Sequence, residues 1–157
     1  MPISPYKLRL AKARHLIYIG ICTKKKSETQ GVSMATILII DDDEQFNLML
    51  KSAMEIKGYD VETATNGKEA KALYQNKKYD VIITDIIMPD VDGYEVILDL
   101  RRMGMSNRTI AVSGGGRTAA DDYLVTAQHF DVAATFNKPV DLQALRAKVE
   151  EIIQSLS

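Results

Sequence analysis

The stretch TILIIDDD, residues 36–43, joins a short, almost wholly apolar run to three consecutive acids. A run of this kind is typical of a strand buried on both faces, as the strands of parallel sheets are. Acids directly after such a strand lie at its carboxyl end, where open parallel sheets form their functional crevices. The stretch therefore predicts a parallel sheet with a polar site at one edge.

Outward from this stretch, runs rich in Ile and Val alternate with segments of helical periodicity. Phe46, Leu50 and Met54 recur four residues apart, as on the buried face of a helix. Gly58 follows as a natural terminator. The predicted strands are Thr36–Ile40, Asp60–Ala64, Val81–Thr84, Thr109–Ser113 and Ala133–Asn137. The predicted helices are Glu44–Lys57, Gly67–Lys77, Gly93–Met103, Asp121–Phe130 and Leu142–Leu156.

Strands that alternate with helices in this way predict an α/β fold. The expected architecture is a doubly wound parallel sheet of five strands with five helices, (βα)5, joined by right-handed crossovers. The last helix carries its buried stripe at Leu145, Val149 and Ile152, with Ile153 beside them. Helices should therefore cover both faces of the sheet.

Polar side chains cluster where the predicted strands end. Asp41 and Asp42 follow the first strand, Asp85 the third, Ser113 ends the fourth and Lys138 follows the fifth. Converging carboxylates repel one another unless a cation joins them, and oxygen ligands of this kind suit Mg²⁺. A carboxylate beside Mg²⁺ can accept a phosphoryl group, whose charge a lysine and a hydroxyl would stabilise. The set predicts phosphoryl chemistry at Asp85.

Each of these residues has a simpler explanation when it is taken alone. An Asp after a strand often caps the next helix, which is our interpretation of Asp43. Asp85 could hold a turn, and Lys138 could be a solvated loop lysine. Ser113 precedes three glycines but no Gly-Lys-Ser/Thr ending follows, so a nucleotide-binding loop is a poor interpretation. The joint pattern, rather than any one residue, carries the prediction.

The ordered motifs resemble the receiver domain of response regulators in two-component signalling. These are the run ILIIDDD ending at Asp43, then DIIMPDVDG from Asp85 to Gly93, then AVSG around Ser113, then Lys138 and Pro139. The resemblance covers Met34 to about the C-terminus and implies a flavodoxin-like fold.

The resemblance also assigns roles to these residues. Asp85 would be the phosphoacceptor, and Lys138 would pair with its phosphate. Ser113 would be the hydroxyl that moves onto the phosphoryl group. Mg²⁺ would be bound by Asp42 directly, by Asp41 through water, by Asp85, and by the backbone carbonyl of Ile87.

The sequence departs from the family pattern in two respects. The aromatic residue usual three positions before the lysine is replaced by Thr135, while Phe136 falls on the opposite face of the strand. The aromatic half of the switch is therefore in question. The positions that tune phosphate loss hold Ile87 and Gly115, whose side chains cannot orient an attacking water. We predict slow self-dephosphorylation.

Composition limits the possible partners and compartment. The 157 residues fit one domain, and their 46% apolar and 26% charged fractions are ordinary for a globular protein. A net charge of -1 gives no electrostatic basis for binding nucleic acid. The lone cysteine, Cys22, excludes an internal disulfide and fits a reducing compartment. We expect a cytoplasmic protein with no nucleic-acid partner.

Residues 1–33 differ in composition from the rest of the chain. They contain several lysines and arginines but a single acidic residue, Glu28. The apolar run Leu16–Cys22 is far shorter than the ~20 residues that span a bilayer, and Ile21 stands where a lipoprotein signal needs a small residue. No membrane association is expected. Residues 1–33 would be a disordered extension or lie before the natural start at Met34, with a real appendage as the alternative. Residues 34–157 would form the receiver domain.

The leading prediction is a stand-alone, chemotaxis-regulator-like receiver, because the chain ends with the final helix. It would take phosphate from a sensor histidine kinase or a histidine phosphotransfer protein and would catalyse only its own phosphorylation and dephosphorylation. A downstream protein would bind the face from the fourth strand to the fifth helix. The protein would be a monomer or a weak, phosphorylation-dependent dimer.

Three alternatives stay open. The chain could be a phosphorelay intermediary, or a degenerate receiver that only docks. It could also be a Mg²⁺-dependent aspartyl-phosphate hydrolase, although such enzymes usually carry a second Asp where Ile87 stands.

Overall fold

The computed structural model describes residues 34–88, 93–114 and 131–157. These residues contain five strands: β1 (Thr36–Ile40), β2 (Asp60–Ala64), β3 (Val81–Asp85), β4 (Thr109–Ser113) and β5 (Ala134–Asn137). They also contain helices α1 (Glu44–Glu55), α2 (Gly67–Asn76), α3 (Gly93–Arg102) and α4 (Leu142–Ser155), and a short 3₁₀ helix (Ser106–Arg108). The alternation expected of a (βα)5 fold is present. The predicted helix Asp121–Phe130 lies outside the described residues.

Helices α1, α2 and α4 begin at capping residues that the sequence supplies. The Asp43 carboxylate accepts hydrogen bonds from the Gln45 and Phe46 amides, at 2.9 and 3.2 Å, so the prediction of Asp43 as an N-cap is confirmed. Asn66 caps α2 in the same way, through the Glu69 amide. The turn after α1 ends at Gly58, whose φ of +89° suits glycine.

The strands form one parallel sheet in the order β2-β1-β3-β4-β5. The order in which strands are added to the sheet reverses at β1, because β2 lies on one side of it and β3 on the other. The carboxyl ends of β1 and β3 therefore lie at a topological switch point, the usual place for a site in such sheets.

Alternate side chains of the strands pack on opposite faces of the sheet. Ile37 and Ile39 lie in one apolar cluster with the buried sides of α1 and α4, including Leu50 and Val149. The intervening Leu38 and Ile40 lie in a second cluster with α2 and α3. Both faces of β1 are thus covered, which is why its sequence is continuously apolar.

The predicted elements agree with the structure apart from small differences at their ends. α1 ends at Glu55 instead of Lys57, and β3 includes Asp85. Differences of one or two residues are usual at the ends of elements, and at α1 the last turn frays. No helix within the described ranges combines the length and apolar character needed to cross a membrane.

Candidate functional site

The crevice at the switch point collects the predicted site residues. Asp41 follows β1 and Asp85 ends the adjacent β3, and both side chains are buried. Asp42 is exposed beside them. Carboxylate oxygens of Asp41, Asp42 and Asp85 all lie within 4.8 Å of one another. The fold therefore brings together the three acids that the sequence placed at strand ends.

Lys138 joins this acidic cluster from the end of β5. Its Nζ lies 2.6 Å from Asp41 Oδ2 and 2.8 Å from Asp85 Oδ2. Because both carboxylates are buried, these ion pairs are screened far less than surface pairs. Lys138 is therefore held in the acidic crevice and is not a solvated loop lysine.

Backbone amides hold the remaining carboxylate oxygens. The Ile87 amide donates to Asp85 Oδ1 at 2.9 Å, and the Asp43 amide donates to Asp41 Oδ1 at 2.9 Å. The Ile87 side chain is 40% exposed at the rim of the site. Each buried Asp is thus oriented by an amide on one oxygen and by Lys138 on the other.

Ser113 lies at the end of β4, next to Asp85. Its neighbour Val112 is the Cα partner of Asp85 in the sheet, and the Lys138 amide donates to the Ser113 carbonyl at 2.8 Å. The Ser113 hydroxyl is buried and has no hydrogen-bond partner among the described residues. A buried hydroxyl without a hydrogen-bond partner is unusual in a folded protein and requires an explanation.

Gly114 allows this close packing of β4 against Lys138. A Cβ at this position would lie 2.8 Å from Lys138 Cδ. A side chain at position 114 would therefore push the lysine away from the acids.

Burial and pairing shift the protonation equilibria of the site. Burial raises the pKa of Asp41, although the hydrogen bond from Lys138 opposes this. Burial by itself lowers the pKa of Lys138, but the hydrogen bonds to Asp41 and Asp85 outweigh it and raise the pKa above its ordinary value. Lys138 is therefore a cation at neutral pH.

The donor set fits a hard divalent cation. Three carboxylates share the crevice with one lysine, so the site keeps an excess of negative charge. Oxygen donors of this type suit Mg²⁺, and receiver-type sites generally bind it. Asp41, Asp42 and Asp85 could hold the ion. The Ile87 carbonyl stays a predicted ligand.

Two residues of α1 at the site were not predicted from the sequence to be functional. The ring centroid of Phe46 lies 4.4 Å from Lys138 Nζ. Asn47 is 3% exposed, and its Nδ2 donates to the carbonyls of Asp41 and Ala64 at 2.7 and 3.1 Å. Asn47 thereby ties the ends of β1 and β2 together. The only sequence signal was a polar residue on the otherwise apolar side of a helix.

Thr135 and Phe136, the two residues of β5 considered for the aromatic position, face opposite sides of the sheet. Phe136 packs against the apolar cluster that contains Val112, its partner in the sheet, together with α1 and α4. Thr135 is the partner of Ala111, which lies in a separate cluster with Ile86 and Ile97. Phe136 therefore does not replace the missing aromatic residue.

Comparisons with known proteins agree with this geometry. The family model of the response regulator receiver domain matches residues 37–150. The chain is 33% identical over 123 residues to the DNA-binding dual master transcriptional regulator RpaA of Synechocystis, covering 77% of this chain and 50% of the relative. It is 31% identical over 119 residues to the sensor protein EvgS of Escherichia coli O157:H7, covering 76% of this chain and 10% of the relative. The chain spans about half the length of the curated transcriptional regulators that it matches.

Solved structures show the same similarity. A response regulator receiver domain from Clostridium thermocellum matches with a TM-score of 0.71 at 27% identity, covering 78% of this chain and 96% of that one. A CheY-like receiver domain protein from Methanospirillum hungatei matches with a TM-score of 0.68 at 29% identity and the same coverage. With the strand order and the acidic crevice between β1 and β3, these matches show that the chain belongs to the receiver domain family of two-component response regulators.

Proposed function

We propose that the protein accepts a phosphoryl group on Asp85 and uses it as a signal. The observation that carries this proposal is the setting of the Asp85 carboxylate. It is buried at the switch point, held by the Ile87 amide and Lys138, and lies within 4.8 Å of two further acids. A buried carboxylate surrounded by so many charged groups is more typical of a functional site than of a purely structural one.

In the proposed reaction, a carboxylate oxygen of Asp85 attacks the phosphorus of a donor. A new oxygen–phosphorus bond forms as the bond from phosphorus to the donor nitrogen or oxygen breaks. The donor leaves with the electrons of that bond, and Asp85 becomes an acyl phosphate. A bound Mg²⁺ would neutralise phosphoryl charge.

Two side chains of the chain would stabilise the transferred group. Lys138 is a cation 2.8 Å from Asp85 Oδ2 and would pair with a phosphoryl oxygen. The unpartnered Ser113 hydroxyl would donate to another. Its movement toward the phosphoryl group would shift the population of two arrangements of the surface around β4 and β5.

The donor would be a sensor histidine kinase or a histidine phosphotransfer protein, the usual partners of this family. A single-domain regulator that binds a downstream protein stays our leading proposal for the output. A phosphorelay intermediary is the second candidate. The match to 10% of the length of the sensor protein EvgS favours this second candidate. It indicates that a receiver-like sequence can form part of a sensor protein.

Labelling by a small phosphodonor tests the proposed reaction. The protein is incubated with acetyl phosphate and Mg²⁺, and its intact mass is compared with that of Asp85→Asn. A stable increase by one phosphoryl group in wild type only supports the receiver. Continuous turnover of acetyl phosphate would support the aspartyl-phosphate hydrolase, and no reaction would support a docking module.

Cation binding tests the acidic cluster separately from phosphorylation. A ligand that binds only the folded state raises the unfolding midpoint. We expect millimolar Mg²⁺ to raise the midpoint of wild type relative to EDTA, and Asp42→Asn to lose most of that rise. An equal rise in both proteins would contradict the assignment of Asp42.

A further inference from the structure

The ammonium of Lys138 has a third neighbour besides the two acids. Phe46, in the first turn of α1, places its ring centroid 4.4 Å from Nζ. The carboxylates of Asp41 and Asp85 hold the same atom at 2.6 and 2.8 Å. Lys138 is only 21% exposed, so water has limited access to this contact. The ring is therefore part of the immediate surroundings of the lysine.

The position of the ring follows from how α1 begins. The Asp43 carboxylate accepts a hydrogen bond from the Phe46 amide, which starts the helix directly after the acidic run. Phe46 is partly buried and packs against the apolar cluster shared by α1 and α4. Its ring is thus held between the core and the site.

An aromatic ring suits this place for an electrostatic reason. The face of a ring attracts a cation through its quadrupole, and the attraction increases when water is excluded. A further acid would also attract Lys138, but it would add repulsion to three carboxylates that already lie close together. A ring adds no net charge and is not a ligand for a hard cation.

The geometry points to Phe46 as a positioning residue that holds the Lys138 ammonium toward Asp85 for phosphoryl transfer. This inference rests on the proposed function. Because Lys138 has a long, flexible side chain, fixing its ammonium before the reaction removes part of the ordering cost from the transfer step. Phe46 itself does not contact the reacting atoms.

Two other roles for Phe46 make different predictions. If the ring only fills the core, an apolar residue of similar volume should replace it without effect on the site. If the ring only contacts a donor protein, its loss should slow transfer from that protein and leave labelling by a small donor unchanged.

Phe46→Leu and Phe46→Trp test the inference, with Leu48→Ala as the control. Leu48 lies on the same helix and is 63% exposed. In NMR spectra recorded without a donor, the ring should shift the Lys138 side-chain proton signals upfield. We expect Phe46→Leu to lose this shift, while Phe46→Trp and Leu48→Ala keep one.

The labelling rate with acetyl phosphate is the second measurement. We expect Phe46→Leu to lower the rate constant about threefold to tenfold, in line with a shielded cation–π contact. Phe46→Trp should stay near wild type, and thermal unfolding shows whether each variant is folded. If Phe46→Leu fails to fold, Phe46→Met takes its place with the same expectations.

The outcomes separate this inference from the proposed function. An unchanged rate and unchanged Lys138 signals in folded Phe46→Leu would overturn the positioning role. A slower rate in Phe46→Trp equal to that in Phe46→Leu would also overturn it, because the ring would not be the cause. If wild type itself is not labelled, the proposed function fails, whereas the NMR shift still decides whether the ring holds Lys138.

Discussion

Three consecutive aspartates have three different environments. Asp41 is buried and paired with Lys138, Asp42 is exposed at the rim, and the Asp43 carboxylate caps α1. They lie in the turn between β1 and α1, where each side chain has different neighbours. Identical residues therefore differ in burial and in partners, and the consequences can be measured one residue at a time.

Replacing Asp43 with Ala should lower stability without affecting the cation site. Loss of an N-cap costs about 1 kcal/mol, and the Asp43 amide that binds Asp41 is kept in the variant. We expect denaturant unfolding to show this decrease, while Mg²⁺ still raises the unfolding midpoint. Asp42→Asn is the matched comparison. It should keep the stability of wild type and lose most of the effect of Mg²⁺ on the unfolding midpoint. A loss of the Mg²⁺ effect in Asp43→Ala would show that Asp43 belongs to the site.

Ile87 should make the phosphorylated state long-lived. Its side chain is 40% exposed beside Asp85 and has no polar group to orient an attacking water. We expect Ile87→Asn to speed loss of the phosphoryl group roughly tenfold by placing an amide there. The measurement is the decay of phosphorylated mass after the donor is removed, with Ile87→Leu as the apolar control. Loss of the group from wild type within seconds in Mg²⁺ buffer would contradict the prediction.

The sequence predicted the charged residues of the candidate site better than the uncharged residues that pack around them. Asp41, Asp85 and Lys138 were recognisable because acids and a lysine after apolar strands need an explanation. Phe46 fitted the apolar stripe of α1, so periodicity assigned it to the core. The role of Asn47 depends on carbonyls at the ends of two strands, 6 and 17 residues away. Contacts of this kind appear only when the chain has folded.

At the level of elements, the apolar runs determined where strands and helices lie. The observed strands begin and end within about one residue of the predicted ones, because each run is bounded by acids, glycine or a turn. Helix ends were less certain, since the last turn depends on local hydrogen bonds. At β5 the pattern showed which face each side chain takes, and Phe136 lies in the apolar cluster of α1 and α4.

The start of α3 should tolerate no side chain at Gly93. A Cβ on Gly93 would overlap the backbone carbonyl oxygen of Asp85, so α3 must move away from the site to accept one. We expect Gly93→Ala to lower the free energy of unfolding by about 2 kcal/mol or more. It should also slow labelling of Asp85 by acetyl phosphate.

Glu95→Ala is the control for this substitution, because Glu95 is exposed in the same first turn. It removes a favourable charge near the helix N-terminus and should cost less than about 1 kcal/mol. Equal stability of Gly93→Ala and wild type would show that α3 can shift without cost.

At the scale of the whole molecule, the two faces of the sheet differ in their polar content. The face covered by α2 and α3 buries two tyrosines, Tyr74 and Tyr79, at 3% and 1% exposure. The Tyr79 hydroxyl lies 2.6 Å from a Glu62 oxygen, and that of Tyr74 lies 3.5 Å from an oxygen of Asp99. Burial and these acids raise the pKa of both tyrosines. The ionisation of these two tyrosines should therefore lower the stability of the fold at alkaline pH.

Tyr74 gives the clearest test of that dependence. Burial, with the nearby charge of Asp99, raises its pKa to about 12, against about 10 in an unfolded chain. Between these values the unfolded state has released the proton and the folded state has kept it, so the unfolded state binds fewer protons. The free energy of unfolding must then fall as pH rises, by up to about 1.4 kcal/mol per pH unit for this one group. Below pH 10 the contribution is fully present.

We expect denaturant unfolding to show that the free energy of unfolding of wild type falls more steeply between pH 10 and 12 than that of Tyr74→Phe. The variant lacks the ionisable hydroxyl and shares every other titrating group. Parallel curves for the two proteins would mean that Tyr74 ionises in the folded state as readily as in the unfolded one.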